Sequence, residues 1–449
     1  MKVAVIGAGV IGVTTAYELA ADGHEVTVFE RRGSVAAETS FANAGIVAPG
    51  YVTPWAAPGM PMKVIGHLLS RHAPVRVHAS LSVGEIAWMW RWWRACRLRT
   101  YQANRLRMQR LAYFSRERLH SITRELKLDY ERSDGYLVLL RTAKDLAMVQ
   151  PGLASLTELK ARFEMLDAAQ CRAVEPGLND ETALHGGVYL PNDEVGNCRQ
   201  FTTLLRTEAQ RAGVRFRFHT QVQKIIAGDA PQLVHLYSPP QETTVMMNVA
   251  AEGTPSDAHD TEPMAMLPIT ETFGAVVVCA ALGAKALLRP HGLKLPMQAV
   301  YGYSITAPVR RLDAHGDIGP RSALMDERYK VAISRIGARV RVAGSAEIGG
   351  TPNRHDPKAL ETLYKVLHDW FPGSTRLSQA QVWKGARPML PDGPPVLGAS
   401  GIAGVWLNLG HGSSGWALAC GSARLLADGV AGRAPAIDIE GLGVERLIG

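Results

Sequence analysis

The sequence predicts an α/β protein: a Rossmann-like nucleotide-binding domain joined to an α+β domain with a mainly antiparallel sheet. Three observations predict it. Residues 3–30, VAVIGAGVIGVTTAYELAADGHEVTVFE, read as strand, glycine turn, helix and strand. The segments YGYSITAP, VAISRI and RVRVAGS, between residues 301 and 345, alternate as antiparallel strands do. Near its end, GVWLNLGHGSSGWALACGSARLLADGV at residues 404–430 repeats the strand–glycine–helix design.

In the opening unit, Val3 to Ile6 form an apolar run typical of a parallel strand buried on both faces. Gly7, Gly9 and Gly12 follow as G-x-G-x-x-G. The first allows a tight turn, the second lets backbone approach a pyrophosphate, and the third lets helix and strand pack closely. A helix from Val10 to Ala21 aims its N–H groups and positive dipole end at that pyrophosphate, and Gly23 stops it. Glu30, followed by Arg31, ends the next strand, where a carboxylate accepts ribose hydroxyls and disfavours a 2′-phosphate. The unit predicts a dinucleotide site, with NADP its least suited ligand.

Residues 31–61 are rich in glycine, proline and small residues without periodicity, the mark of a functional loop. Helical spacing runs from Gly84 to Leu128, residues 129–190 are mixed, and 200–212 read as a helix. VRFRFHT, residues 214–220, alternates as one strand, and residues 239–270 read as an acidic surface excursion. Residues 273–288 give a buried strand, a small-residue turn at Gly283 and a helix. Residues 357–371 are helical, and WKGARPMLPDGPPVLG, 383–398, reads as a turn-rich loop. With cofactor-like units at both ends, the nucleotide domain is expected to be discontinuous: residues 1–60, 185–296 and 383–449. Residues 61–184 and 297–382 would form the substrate domain.

The 449 residues are 47% hydrophobic and 20% charged, an ordinary globular balance. Cys96, Cys171, Cys198, Cys279 and Cys420 form no C-x-x-C or His/Cys ligand spacing, so neither a disulfide framework nor a metal site is expected. No P-loop, H-E-x-x-H or G-x-S-x-G occurs, which argues against phosphoryl transfer, zinc hydrolysis and α/β-hydrolase chemistry. The reaction then falls to the cofactor. The first strand starts at the third residue and no apolar run reaches spanning length, so the expected location is cytoplasmic.

The formal charge of +8 is uneven, with ten arginines between residues 91 and 124. A helix over AWMWRWWRACR, residues 87–97, sets Trp88 four residues from Trp92 and Met89 four from Trp93, beside arginines. Such a stripe either packs into the core or meets an anionic bilayer at the inner face of the cytoplasmic membrane. No nucleic-acid module accompanies the charge, so no nucleic-acid partner is expected.

TSFANAG (39–45), PGYVTPWAAPG (49–59), LPNDEVGNC (190–198), ARPMLPDGPPVLG and LGHGSSGWALACGSA are specific and occur in a fixed order. Together they resemble the D-amino-acid dehydrogenase small-subunit family, relatives of D-amino-acid oxidase and glycine oxidase. The resemblance runs nearly end to end. It implies FAD, oxidation of a D-amino acid at Cα, release of a 2-oxo acid and ammonia, and electron delivery to a quinone or another carrier. This sequence departs from the family in its long segment 239–270, in Ile46 and Val47, and in the turn ALGAK.

Carried over residue by residue, the resemblance sets Arg387 on the substrate carboxylate, a task for which a planar fork is suited. Thr39, Ser40, Asn43, Ala44 and Gly45 would lie against the flavin. Gly410, Gly412, Ser413, Ser414 and Gly415 would open the last helix toward its pyrimidine end, with His411 among them. Tyr303 and Tyr329, both expected on strands, are candidates for a second carboxylate contact, and Tyr51 and Trp55 for a cover over the site. Hydride transfer from Cα to the flavin, with the amine neutral, needs no side-chain base. Two alternatives stay open: a flavin enzyme for a cyclic or secondary amino acid such as a hydroxyproline, and a non-catalytic flavin-binding subunit.

Overall fold

The computed structural model describes residues 1–67, 70–238, 267–312 and 316–448. Its opening unit is the strand β1 (Lys2–Ile6), the helix α1 (Val10–Ala21) and the strand β2 (Glu25–Phe29). β1 pairs in parallel with β2 and with Ala275–Val278, which pairs in parallel with Val405–Leu409. Arg215–Arg217 and Val396–Ala399 close the edges of this six-stranded sheet.

Both faces of that sheet are covered, which is why its strands carry no polar alternation. Val3 and Val5 pack toward α1 and the last helix, Gly415–Val430. Ala4 and Ile6 face the other way, against Val222, Ile225 and Leu233 of a three-stranded antiparallel sheet. VRFRFHT, expected as one strand, is divided. Arg215–Arg217 joins the parallel sheet, the chain turns at His219 (φ +52°), and Thr220–Ile226 starts the antiparallel one. Alternation cannot reveal such a break, because residues on both sides keep the same period. The expected excursion at 239–270 lies largely outside the described residues; at its end, Ile269–Thr272 is the edge strand of the three-stranded sheet.

The second sheet has ten strands. Its main path runs from Gln381–Met389 through Gln298–Pro308, Arg339–Ile348, Val331–Ile336, Ala323–Asp326, Ser133–Leu140 and Gly186–Val195 to Ile46–Val47. All neighbours on this path are antiparallel except Ala323–Asp326 with Ser133–Leu140. Gly186–Val195 and Ile46–Val47, which the sequence grouped with the nucleotide domain, therefore lie in this sheet. Strands next to a crossover carry no local mark of the sheet they join.

Segment 383–398, expected as a loop, contains the strands Gln381–Met389 and Val396–Ala399. Gln381–Met389 is an edge strand, so Pro388, which lacks a donor, is tolerated there. Tyr329, expected on a strand, sits in the turn between Ala323–Asp326 and Val331–Ile336.

Helices α2 (Met60–His67), α3 (Val83–Ala95) and α4 (Leu98–Leu126) lead into the second sheet. A reciprocal capping box between Ser82 and Glu85 starts α3, and extended backbone at Arg97 separates it from α4.

Candidate active site

One cavity of about 1880 Å³ is lined by the glycine turn and Glu30, by residues 39, 40 and 42–44, by residues 410–416, and by Arg387. It exceeds the roughly 300–1,000 Å³ of ordinary small-molecule sites, as a site for a dinucleotide together with a substrate must.

The glycine turn fits a pyrophosphate by shape. Gly7 has φ +105°, and a Cβ on Gly12 would stand 1.9 Å from the Gly7 carbonyl oxygen, so helix and strand meet with no space between them. A Cβ on Gly9 would meet only Ser40 Oγ, at 3.4 Å, leaving that backbone open to the cavity. α1 begins at Gly9 without a side-chain cap. The Val10 N–H donates to Ser40 Oγ at 3.1 Å. Glu30 accepts from the Ala8 N–H at 2.7 Å and the Arg32 N–H at 2.8 Å. Burial raises its carboxyl above the ordinary range, and those two N–H groups oppose the shift. Arg31, also on the lining, pairs with Glu38 at 2.6 Å.

Thr39, Ser40, Asn43 and Ala44 line the cavity. Their segment is tied to the second sheet: Thr39 Oγ1 donates to the Ala386 carbonyl, and Ser334 Oγ to that of Ala44, both at 2.7 Å. Gly45, expected against the cofactor, is not on the lining. Its φ is +79° and its carbonyl accepts from Trp416 Nε1 at 3.0 Å. A Cβ there would stand 2.7 Å from the Gly196 carbonyl oxygen, so Gly45 is a packing point. Gly283, Gly410, Gly412, Ser413, Ser414 and Gly415 all line the cavity, and the last helix starts at Ser414 with no side-chain cap. A 3-10 turn over Gly412–Ser414 leads into it, and the Ser414 N–H donates to the His411 carbonyl at 3.1 Å.

Arg387 projects from the edge strand, not from a loop. Its Nη1 donates to the Ser345 carbonyl at 2.9 Å and to that of Tyr301 at 3.4 Å. No carboxylate among the described residues pairs with it, and burial lowers its pKa to about 10. Trp55 lies beneath the guanidinium, 5.9 Å from ring centroid to Cζ. At Gly302 a Cβ would stand 2.2 Å from Arg387 Nη2, so only glycine leaves the fork its place.

Sequence reasoning missed Gly302 and Ser345. Pairing between Gln298–Pro308 and Arg339–Ile348 shifts register between Tyr301 and Tyr303, and Ser345 lies in that irregularity with φ +58°. For a residue with a Cβ this conformation costs about 1–3 kcal/mol. An alternating strand pattern carries no sign of such a bulge.

Of the remaining candidates, His411, Tyr303, Tyr51 and Trp55 are on the lining and Tyr329 is not. His411 is buried, its Nε2 is 3.0 Å from Ser422 Oγ, and burial pushes its pKa down to about 3. It is neutral and engaged with the last helix, so its ring brings no positive charge to the pyrimidine end of the flavin beside which the sequence set it. Tyr303 lines the cavity, but its hydroxyl donates to Glu347 and accepts from the Asp356 N–H at 3.0 Å. Glu347 also pairs with Lys384 and with His78, each at 2.6 Å. Tyr329 is outside the lining; its turn carries the ring to Arg141 and Lys365, at 5.0 and 5.5 Å. Tyr51 and Trp55 are on the lining, as expected of a cover.

The tryptophan stripe divides. Trp88 and Trp92 are buried, while Trp90 and Trp93 are 62% and 54% exposed beside exposed Arg91, Arg94 and Arg97. Ile86 on α3 and Met62 and Ile65 on α2 are exposed too, and Met60, Lys63 and Val64 of α2 line the cavity. An apolar, arginine-bearing face thus adjoins a cavity wall. No helix among the described residues is long and apolar enough to cross a membrane.

Fold and site define an α/β oxidoreductase built around a dinucleotide. The DAO family, FAD dependent oxidoreductase, matches residues 2–429. The chain is 42% identical over 450 residues to a D-amino acid dehydrogenase of Rhizorhabdus wittichii, covering 99% of this chain and 100% of that protein. It is 40% identical over 449 residues to a D-amino acid dehydrogenase of Bradyrhizobium diazoefficiens, covering 99% of each. Glycine oxidase from Geobacillus kaustophilus shares the fold at TM-score 0.72 and 20% identity, over 100% of this chain and 99% of that one. L-proline dehydrogenase from P. horikoshii does so at TM-score 0.69 and 15% identity, over 99% and 97%. The chain belongs to the FAD-dependent oxidoreductase family, and FAD is its cofactor.

Proposed function

We propose that this chain is a D-amino acid dehydrogenase, which takes two electrons from the Cα–N bond and yields an imino acid that water converts to a 2-oxo acid and ammonia. One observation carries the reading: Arg387, a buried guanidinium with no carboxylate partner among the described residues, lines the same cavity as the dinucleotide cradle. A carboxylate brought there replaces lost hydration with two charge-assisted hydrogen bonds. The two relatives named D-amino acid dehydrogenase support the substrate class.

Bound FAD supplies the two-electron acceptor for the Cα hydrogen. The chain's own residues orient and exclude. Arg387, steadied by Ser345 and Tyr301, fixes the carboxylate and so the direction of the Cα–H bond. Trp55 and Tyr51 wall the site. His411, bonded to Ser422 and too weakly basic to take an ammonium proton, does not serve as a base, so the substrate binds with its amine already neutral.

The electrons pass to a quinone or another carrier, and the face of α2 and α3 makes peripheral contact with the cytoplasmic membrane. Exposed Trp90 and Trp93 beside Arg91 and Arg94 combine the apolar and cationic features that an anionic bilayer attracts.

The test is anaerobic addition of single amino acids to the purified, FAD-loaded protein, followed by flavin absorbance. Bleaching by D-alanine or other D-amino acids is expected. Bleaching only by L-amino acids or by hydroxyproline moves the substrate class, and no bleaching by any amino acid would falsify the enzymatic reading.

A further inference from the structure

A second cavity, about 180 Å³, has Phe41, Arg199, Arg339, Arg341, Gln379 and Gln381 among its lining residues. It shares residue 41 with the loop that ties the two sheets, yet none of its arginines lines the main cavity. Arg341 is only 5% exposed. Its Nε donates to Thr306 Oγ1 at 2.9 Å and its Nη1 to the Asn43 carbonyl at 3.0 Å, and no carboxylate among the described residues pairs with it. Arg199 stacks over the Phe41 ring at 4.1 Å and likewise has no acidic partner among the described residues. Of the three arginines, Arg339 alone is neutralised, by Glu131 at 2.6 Å, and the same Glu131 oxygen accepts from Asn197 Nδ2.

Arg341 and Arg199 therefore line a small cavity with no directly paired carboxylate among the described residues, the nearby Glu131 being engaged by Arg339. Of the two, Arg341 is buried, and a buried charge is costly unless an anion pairs with it. Forked guanidinium donors flanked by amides match the oxygens of a small oxoanion.

We propose that this cavity is a binding site for a small oxoanion, inorganic phosphate or the carboxylate of a 2-oxo acid, held between Arg199 and Arg341. Arg341 also holds the carbonyl of Asn43, which lines the main cavity. Occupancy is thereby coupled to the segment beside the flavin; the coupling rests on the function proposed above, whereas the binding does not.

The experiment is calorimetric titration of the FAD-loaded protein with inorganic phosphate and, separately, with pyruvate, at ionic strength held constant with sodium chloride. One saturable site per chain is expected for at least one of them. Arg199→Ala, at an exposed side chain, should weaken it about tenfold, the loss of one charge-assisted contact. Arg341→Lys should weaken it further, and Arg199→Ala decides the matter if that variant does not fold. Tighter phosphate binding identifies the inorganic ion and tighter pyruvate binding the carboxylate. No saturable binding of either overturns the site. So does binding that survives in Arg199→Ala but vanishes in Arg387→Lys, which would place the anion on the substrate guanidinium. Flavin absorbance followed in the same titration separates the two claims: calorimetric binding without a spectral change leaves the site standing and refutes the coupling.

Discussion

The carbonyl oxygen of Ser345 lies 2.9 Å from Nη1 of Arg387, and Ser345 holds a left-handed backbone conformation, φ +58°, at the point of contact. A bulge in the second sheet thus aims a backbone acceptor at a guanidinium that has no carboxylate of its own among the described residues. The arrangement spends Nη1 on two backbone carbonyls, those of Ser345 and Tyr301, and keeps the rest of the fork for a ligand.

Replacing Arg387 by lysine keeps a charge but loses the fork. The apparent KM for a D-amino acid should rise about a hundredfold, about 2.7 kcal/mol and so in the lower half of the roughly 2–5 kcal/mol seen when a buried charge pair is truncated. Thermal stability should not fall, because the free protein already holds this charge unpaired. Steady-state dye reduction and a thermal melt measure both, and an unchanged KM would remove Arg387 from the substrate site.

The Ser345 hydroxyl is buried with no hydrogen-bond partner among the described residues. Ser345→Ala retains the carbonyl that Arg387 uses and deletes an unsatisfied polar atom. Stability should rise by about 1 kcal/mol, with KM within about twofold of the parent. A large rise in KM in this variant would mean that the hydroxyl itself binds substrate.

His411 titrates near 3 in the folded protein and near 6.5 when unfolded. Between those values the unfolded chain binds the extra proton, so this group's contribution to stability is complete above pH 6.5 and is lost as pH falls. The slope is about 1.4 kcal/mol per pH unit. Subtracting the stability–pH curve of His411→Asn from that of the parent, by chemical denaturation between pH 7 and 5, isolates it. Parallel curves would show that the ring is not held neutral.

Gly9 and Gly12 belong to one motif but answer to different constraints. A Cβ at Gly12 collides with the Gly7 carbonyl, whereas one at Gly9 points into open cavity. Gly12→Ala should lower stability by several kcal/mol or prevent folding. Gly9→Ala should fold normally and release FAD more readily, measured as flavin content after gel filtration. Equal FAD retention in Gly9→Ala and parent would contradict the pyrophosphate role.

Trp90 and Trp93 are exposed while Trp88 and Trp92 are core. Replacing the exposed pair by alanine should leave the melting temperature unchanged and reduce co-sedimentation with vesicles containing anionic lipid. High salt should reduce it further, since arginine attraction is screened beyond a Debye length. If parent and double variant bind such vesicles equally, this face is not the contact.

Much of the nucleotide half was legible because its information is local. β1, the glycine turn, α1 and Glu30 are contiguous, and each residue's task follows from its neighbours in the chain. The second sheet was legible in character, since alternation in 301–345 marks antiparallel strands. Its membership was not: Ile46–Val47 joins Gly186–Val195, more than a hundred residues away in sequence, and Gly186–Val195 pairs in turn with Ser133–Leu140. Tyr303 and Tyr329 looked alike in sequence. A buried strand and an exposed turn sent one to the cavity and the other to Arg141.

By itself, then, the sequence determined that this protein carries a dinucleotide turn backed by two βα units, and its motifs named the FAD family. Tertiary structure alone decided that Gly45 packs rather than lines, that His411 is turned into the last helix, and that Ser345 and Gly302 shape the place of Arg387. The reason is one of range. Turns, caps and periodicity are set by interactions within a few residues, whereas burial, register and bulges depend on which distant strands meet, and no local pattern records that.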